Sequence, residues 1–121
     1  MNATGLIEYK GKKIFVLDFS NCLPSEIPPL IDDCARQIRL QPKKSIYTIV
    51  NATGTKFDST VVDKLKQLTK DNEPFVIKSA VVGMSGMQQV VLMIVSSFSN
   101  RSFEQFDTME KAKEFFASQR G

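Results

Sequence analysis

The sequence predicts an α/β domain in which a mixed β-sheet of about five strands is packed with about four helices. Two strand-like runs at the start are joined by a short turn that contains glycine, which predicts a hairpin. After them, apolar runs alternate with stretches of helical spacing, which predicts βα units and a mostly parallel or mixed sheet. The length of 121 residues and the apolar content of 42% suit one core, so we expect a single domain over residues 1–121.

The first third of the chain predicts two antiparallel strands and a helix. Residues 6–9 and 13–19 are strand-like, and Gly11 between them supplies the backbone freedom of a tight turn. Residues 27–38 carry apolar side chains at helical spacing. Two prolines near their start fit only the first turn of a helix, so we expect this helix to begin at the first or second of these residues.

The middle of the chain predicts a strand, a loop, a helix and a second strand. Residues 45–50 are an apolar strand, and residues 51–57 are a loop. Residues 59–70 are a helix with one apolar face, formed by Val61, Val62, Leu65 and Leu68. Residues 75–82 are apolar enough to be a central strand that is buried on both faces.

Residues 84–98 fit two structures. The apolar run within them is β-branched enough for a strand, but apolar residues also recur at helical spacing. We predict a helix, with these side chains facing inward: Met87, Val91, Ile94 and Phe98. Met93 then points outward with Val90 and Leu92 beside it, which predicts an exposed apolar patch. The alternative is that the segment is a central strand or a core helix.

The end of the chain predicts a short strand and a last helix. Residues 101–106 alternate like a strand, and Asp107 or Thr108 is suited to cap the helix that follows. The inward side chains of that helix are Met109, Ala112, Phe115 and Phe116.

Charge and hydropathy argue against a nucleic-acid partner and against a transmembrane segment. The net charge of +3 comes from 16 basic and 13 acidic residues, and the lysines are not interleaved with aromatic residues. This pattern is typical of a solvated surface, so we expect no nucleic-acid partner. The longest apolar run is far shorter than the ~20 residues that cross a bilayer, so we expect no transmembrane segment. The N-terminus lacks the pattern of a secretory signal, and we therefore expect a cytoplasmic protein.

The lack of histidine argues against an enzyme, because histidine is the commonest general base and a usual zinc ligand. Cys22 and Cys34 are too few and too far apart for a metal cluster, and Cys34 lies on the apolar stripe of a helix, as a core residue would. The sequence leaves open whether the two form a disulfide. Ser85, between Gly83 and Gly86, lacks the second glycine of a hydrolase elbow. We predict no catalytic residue, no metal and no cofactor.

The main candidate site is the strand–loop–helix joint of residues 51–66. A helix N-terminus presents free N–H groups and the positive end of the helix dipole to an anion or a phosphoryl group. Asn51, Thr53 and Gly54 in the loop are turn-forming residues, and the loop lacks the second glycine and the Lys-Ser/Thr ending of a P-loop. We therefore expect a turn here rather than a nucleotide site.

The order of elements and three segments resemble the STAS superfamily, most closely its SpoIIAA-like branch of small bacterial proteins. The segments are residues 49–59, 80–86 and 103–112, and the likeness covers nearly the whole chain. The resemblance implies a STAS fold, which is related to that of the SEC14 lipid-binding domains. Because the motifs are short, the resemblance says more about fold than about activity.

The resemblance also implies a candidate regulatory serine. In the anti-sigma-factor antagonists of this superfamily, a serine that follows an aspartate at the start of the second helix is phosphorylated by a partner kinase. The matching residues here are Asp58 and Ser59; the antagonists usually continue with serine and glycine, whereas this chain has Thr60 and Val61. An ordinary helix N-cap explains the same pair without phosphorylation. Both interpretations require Ser59 to lie exposed at a helix start.

The sequence therefore predicts a non-enzymatic regulatory or scaffolding module that binds a protein partner at the joint and is phospho-regulated at Ser59. The candidate partner-binding or phosphoacceptor residues are Asp58, Ser59, Thr60, Asn51, Thr53 and Gly54. The alternative is a carrier of a small apolar or lipid-like ligand held between the sheet and helix 84–98. In either case the patch of Val90, Leu92 and Met93 would suit a partner, self-association or a lipid tail.

Overall fold

The computed structural model describes residues 4–84, 86–97 and 103–119, and within them the chain forms five strands and four helices. They follow one another as β1 (Gly5–Tyr9), β2 (Lys12–Asp18), α1 (Ile27–Arg39), β3 (Ile46–Asn51), α2 (Ser59–Asn72), β4 (Val76–Val82), α3 (Met87–Ser96), β5 (Phe103–Phe106) and α4 (Met109–Ala117). The predicted order of elements is confirmed.

The five strands form one mixed sheet in which the strand order follows the chain order. β1 pairs antiparallel with β2 across a tight turn, whose Lys10 and Gly11 both have positive φ. β2, β3, β4 and β5 are parallel neighbours, joined by crossovers through α1, α2 and α3. Each crossover steps to the next strand in the same direction, so crossovers of one hand leave these helices on one face.

Two apolar cores lie on opposite faces of the sheet. On the first face, α1 buries Ile27, Ile31 and Cys34, and α2 buries Val61 and Leu68. The same core contains alternate residues of β2. On the second face, the helix α4 buries Ala112 and Phe116, and the ring of Phe116 stacks on that of Tyr47 at 4.6 Å between centroids. The sheet is therefore covered by helices on both sides, as a parallel sheet requires.

The helix starts agree with the sequence signals. α1 begins at Ile27, and Pro28 and Pro29 follow within its first turn. Thr108 caps α4, where its hydroxyl oxygen accepts a hydrogen bond from the backbone N–H of Lys111 at 3.2 Å. The core position predicted for Cys34 is confirmed, since this side chain is fully buried.

The inner face predicted for α3 was partly wrong. α3 begins at Met87 rather than at residue 84, and its buried side chains are Val91 and Val95, whereas Ile94 is 38% exposed. With about 100° between successive residues, Ile94 lies about 80° from the line that bisects Val91 and Val95. Phe98 and the Met87 side chain lie outside the described residues.

The burial predicted for residues 75–82 holds only for the second half of β4. Ile77 and Lys78 are exposed, while the four residues after them are buried. The cause is a β-bulge: Ile46 pairs with Val76 but Thr48 pairs with Ser79, so β4 carries one more residue than β3 across this step. The bulge reverses which side chains of β4 point to each face of the sheet, and the apolar pattern of the sequence gives no sign of it.

Candidate functional site

The carboxyl ends of β2, β3 and β4 are joined into one rim by backbone hydrogen bonds. Asn21 N–H donates to the carbonyl oxygen of Thr53 at 2.8 Å, and Ala52 N–H donates to that of Val82 at 2.9 Å. The buried hydroxyl of Thr55 donates to the carbonyl oxygen of Phe19 at 2.7 Å. These bonds hold the loop after β3 against its neighbours in a turn, as its turn-forming residues predict.

Two glycines let these loops approach one another closely. A Cβ atom on Gly83 would lie 2.1 Å from Thr53 Oγ1, and a Cβ atom on Gly54 would lie 2.3 Å from Asn21 Oδ1. Both glycines also have positive φ, at 77° and 65°. The loop that begins at Asn51 is therefore wedged between the loops after β2 and β4. Asn51 itself supports it, since its Oδ1 accepts from Thr53 N–H at 3.1 Å.

The start of α2 has the geometry predicted from the sequence. Asp58 is the N-cap, and its Oδ1 accepts a hydrogen bond from Val61 N–H at 2.8 Å. Ser59 is the first helical residue, and it is exposed. In the described part of the chain its hydroxyl makes no hydrogen bond, because Asp58 already performs the capping. The hydroxyl is thus accessible at the positive end of a helix dipole.

The predicted site residues share one exposed surface, which we call the rim surface. Asn51 is half-buried, and the following are exposed: Thr53, Gly54, Lys56, Asp58, Ser59 and Thr60. This surface combines a rigid backbone with hydroxyl, carboxylate and ammonium groups. Such a set can form hydrogen bonds and ion pairs with another protein.

A cavity of about 60 Å³ lies beneath the rim surface, between the sheet and the helices α2 and α3. No charged side chain lines it among the described residues. Most of its lining is apolar: Leu17, Phe19, Val50, Ala52, Phe57, Leu65, Leu68, Val81, Met84, Val91, Leu92, Val95 and Phe103. Its only polar lining residues in the described ranges are Thr48, Thr69 and Asn72.

Asn72 is the polar group of this cavity that sequence analysis missed. Its side chain is 3% exposed, and its Oδ1 atom is buried with no hydrogen-bond partner among the described residues. The hydroxyl of Thr48, by contrast, is paired with that of Ser79 at 2.7 Å. A signal did exist, because Asn72 lies four residues after Leu68 and therefore on the apolar stripe of α2. The sequence analysis instead placed the residue beyond the end of that helix.

The outer face of α3 is apolar and carries no charge. Met93 is 74% exposed, as predicted, and Val90 is 47% exposed. Leu92 departs from the predicted patch, since it is half-buried and lines the cavity. The exposed residue beside Met93 is instead Ile94, because the helix is turned toward Val91 and Val95.

The two cysteines are free and buried. Burial raises the pKa of the Cys34 thiol to about 12, which keeps it neutral and unreactive. Among the described residues, no group of three or more histidine, cysteine, aspartate or glutamate side chains could hold a metal ion. No helix in those ranges is long and apolar enough to cross a membrane.

The protein has a STAS/SpoIIAA-like fold. It is similar in structure to an anti-sigma-factor antagonist (STAS) domain protein from Planctomyces limnophilus, with a TM-score of 0.64 and 14% sequence identity over 93% of this chain and 97% of that one. It is also similar to an uncharacterised protein with a SpoIIAA-like fold from Shewanella loihica PV-4, with a TM-score of 0.59 and 13% identity over 93% of this chain and 91% of that one. No family model and no curated protein matches the sequence. The fold inferred from short motifs is therefore confirmed by three-dimensional similarity.

Proposed function

We propose that the protein is a non-enzymatic, cytoplasmic regulatory or scaffolding module whose rim surface binds a protein partner. The observation that carries this proposal is the exposed hydroxyl of Ser59 at the start of α2, on a rim held rigid by backbone bonds. This hydroxyl has no hydrogen-bond partner in the part of the chain that the structure describes. A rigid surface loses little conformational entropy on binding. The structural similarity to a STAS domain protein supports a regulatory role by analogy of fold.

The strand order also favours a surface site over a crevice. In open α/β sheets, small ligands occupy the crevice where the strand order reverses and helices diverge to the two faces. Here the strand order does not reverse, and the loops at the carboxyl edge are bonded to one another. The rim surface is therefore suited to another protein, which contacts a wide area, rather than to a small ligand.

Phosphorylation of Ser59 would regulate the binding of that partner. A phosphate at this position gains from the N–H groups and the dipole of α2, but it is opposed by the Asp58 carboxylate beside it. Lys56 is exposed nearby in the chain and forms no ion pair within the described residues. The phosphate would thus change the charge of the rim surface from mixed to acidic without disturbing the core.

The test is to compare partners captured from native cell extract by the wild type and by matched charge variants. Ser59→Asp and Lys56→Glu change the rim surface, and we expect both to lose a partner that the wild type captures. Lys43→Glu is the control, because Lys43 is exposed at the opposite, amino end of β3. Binding of the purified partner should then fall about tenfold or more for the rim variants alone. If the partner binds the wild type and Ser59→Asp with equal affinity, Ser59 has only a structural role. If it binds all variants with equal affinity, the rim surface is not the interface.

A second candidate function is favoured by the cavity. We infer that the protein carries a small apolar ligand between the sheet and the helices α2 and α3. This space of about 60 Å³ is only partly enclosed and its walls are mainly apolar, as in a site that a small ligand enters from the surface. The uncharged helix α3 forms one wall of the cavity and shows an apolar outer face. Binding of small apolar probes in the cavity tests this function.

A further inference from the structure

The fold gathers basic side chains at the amino end of the sheet, although they are scattered along the sequence. The turn between β1 and β2 lies at this end, and the register of β2 and β3 places Ile14 opposite Tyr47, so the lysines that precede each of them share one edge. The last turns of α1 and α2 also lie there, because each helix runs back to the start of the next strand. We call the following residues the basic edge: Lys10, Lys12, Lys13, Arg36, Arg39, Lys43, Lys44 and Lys70.

Much of this positive charge is not neutralised within the protein. Lys10 pairs with Glu114 at 2.7 Å, and Arg36 pairs with Asp33 at 2.5 Å. The ammonium group of Lys44 donates instead to two backbone carbonyl oxygens, at 3.2 and 3.3 Å. The other members of the basic edge form no ion pair within the described ranges: Lys12, Lys13, Arg39, Lys43 and Lys70. The acidic residues at the same end of the sheet are fewer: Glu8, Asp33, Asp71, Glu73 and Glu114.

The carboxyl end of the sheet carries the opposite charge. Its exposed carboxylates include those of Glu26, Asp58 and Asp107, each of which lies in a connection that follows a strand. The protein is therefore electrically polar along the direction of its parallel strands. An anionic surface would attract the basic edge and repel the rim surface, and so would orient the protein.

Leu40 adds an apolar group to the basic edge. This side chain is 82% exposed, which is more than any other large apolar side chain in the described part of the chain. It is the C-cap of α1, where its backbone N–H donates to the carbonyl oxygen of Gln37 at 3.2 Å. The chain after it is also held in place, since the hydroxyl of Ser45 donates to the carbonyl oxygen of Pro42 at 2.6 Å. Leu40 is thus fixed between Arg39 and Lys43 with its side chain in solvent.

We propose that the basic edge binds the surface of a membrane that contains anionic lipids, with Leu40 entering the boundary between headgroups and acyl chains. Cations near an anionic leaflet and an apolar side chain at that boundary each strengthen such binding. A lipid surface accepts a single apolar side chain without a matching pocket, whereas a soluble polyanion gains little from it. Binding through the basic edge leaves the rim surface free at the far end of the strands.

Vesicles of defined composition test this proposal. The wild-type protein is mixed with vesicles of phosphatidylcholine alone or of phosphatidylcholine with phosphatidylglycerol, and the bound fraction is measured by flotation. We expect binding only to the vesicles that contain the anionic lipid, at about 0.1 M salt. This binding should be lost at about 1 M salt, where the screening length falls from about 10 to about 3 Å.

Two pairs of matched variants locate the contact. Lys43→Glu should weaken binding to the anionic vesicles about tenfold or more, whereas Lys56→Glu makes the same charge change on the rim surface and should bind like the wild type. Leu40→Ser should weaken binding about fivefold. Its control is Leu23→Ser, because Leu23 is 53% exposed before the start of α1, away from the basic edge.

Three results would overturn the proposal. Equal binding to both kinds of vesicle, or equal losses in Lys43→Glu and Lys56→Glu, would show that the basic edge is not the docking face. Undiminished binding by Leu40→Ser, or tighter binding to a DNA duplex at the same salt, would replace the lipid surface by a soluble polyanion. Salt-sensitive oligomers of the protein alone would make a second copy, through its rim surface, the occupant of the basic edge. If Lys43→Glu does not fold, the lipid and salt dependence of the wild type and the loss in Leu40→Ser decide the question.

Discussion

Replacing Gly83 by alanine should strongly destabilise the protein, because Gly83 allows the loops after β3 and β4 to touch. A Cβ atom at this position would lie 2.1 Å from Thr53 Oγ1 and 2.9 Å from Thr53 Cα, where 3.4–4 Å is an ordinary contact. The first of these atoms is the end of a side chain and can move. The second belongs to a backbone that is itself bonded to the β2 loop.

The expected loss of stability in Gly83→Ala has two parts. The positive φ of 77° costs an alanine about 1–2 kcal/mol, and forcing extra atoms into a packed contact costs about 1–3 kcal/mol. We therefore expect Gly83→Ala to lower the free energy of unfolding by about 2–5 kcal/mol. With a urea m-value of about 1–3 kcal/mol/M, the midpoint should fall by about 2 M.

Gly11→Ala is the matched control for this prediction. Gly11 has a similar φ of 84°, but nothing lies within 4 Å of its added Cβ atom, so it should lose only the strain of about 1–2 kcal/mol. Urea unfolding followed by circular dichroism measures both variants. Thr53→Gly removes the closest atoms and should partly rescue Gly83→Ala in a double-mutant cycle. If Gly83→Ala loses no more stability than Gly11→Ala, the loops are not in the tight contact described here.

Two further predictions concern α3 and the buried thiol. Met93→Lys should lower the free energy of unfolding by less than about 0.5 kcal/mol because Met93 is 74% exposed, whereas the same change at the buried Val95 should lower it several times more. If Met93 mediates self-association, sedimentation will show a smaller particle for Met93→Lys than for the wild type. Cys34 should resist alkylation at pH 8.5 about 100-fold better in the folded than in the urea-unfolded protein, measured in a Cys22→Ser background. Because the folded pKa of about 12 exceeds the ordinary thiol pKa of 9.0, the stability that the neutral thiol contributes is full below about pH 9 and is lost as pH rises toward 12. A Cys34→Ala variant with the same stability loss over that range would contradict this.

The fold was largely predictable because its signals are local. Turn residues, paired prolines, caps and apolar spacing lie within a few residues of the elements they define, as at Gly11, Pro28 and Thr108. The bulge in β4 was not predictable, since it depends on how Val76 and Ser79 meet a neighbouring strand. The rotation of α3 also depends on its neighbours, because both flanks of the helix are apolar and either could face inward.

In the candidate site, too, the features with local sequence signals were predictable and those that depend on distant segments were not. The position of Ser59 and the cap at Asp58 follow from helix-start chemistry, and the structure confirms both. Their role in partner binding stays a prediction. The contact between Gly83 and Thr53 joins segments far apart in the chain, so no local pattern predicts it. The burial of Asn72 did have a local signal, its position four residues after Leu68, but the helix was predicted to end before it.

The sequential strand order has a consequence for how the chain folds. Every strand pairs only with the strand before it and the strand after it, so each pairing closes either one hairpin or a single crossover. Loop-closure entropy grows with loop length, and here no pairing needs more than one such closure. The sheet can therefore grow from any adjacent pair of strands by successive additions, without waiting for the two ends of the chain to meet. α4 is different, since it packs across the three parallel strands β3, β4 and β5 and gains its full contact only after they have assembled. The second core, which contains Tyr47 and Ile49, should thus be completed only after the sheet has formed.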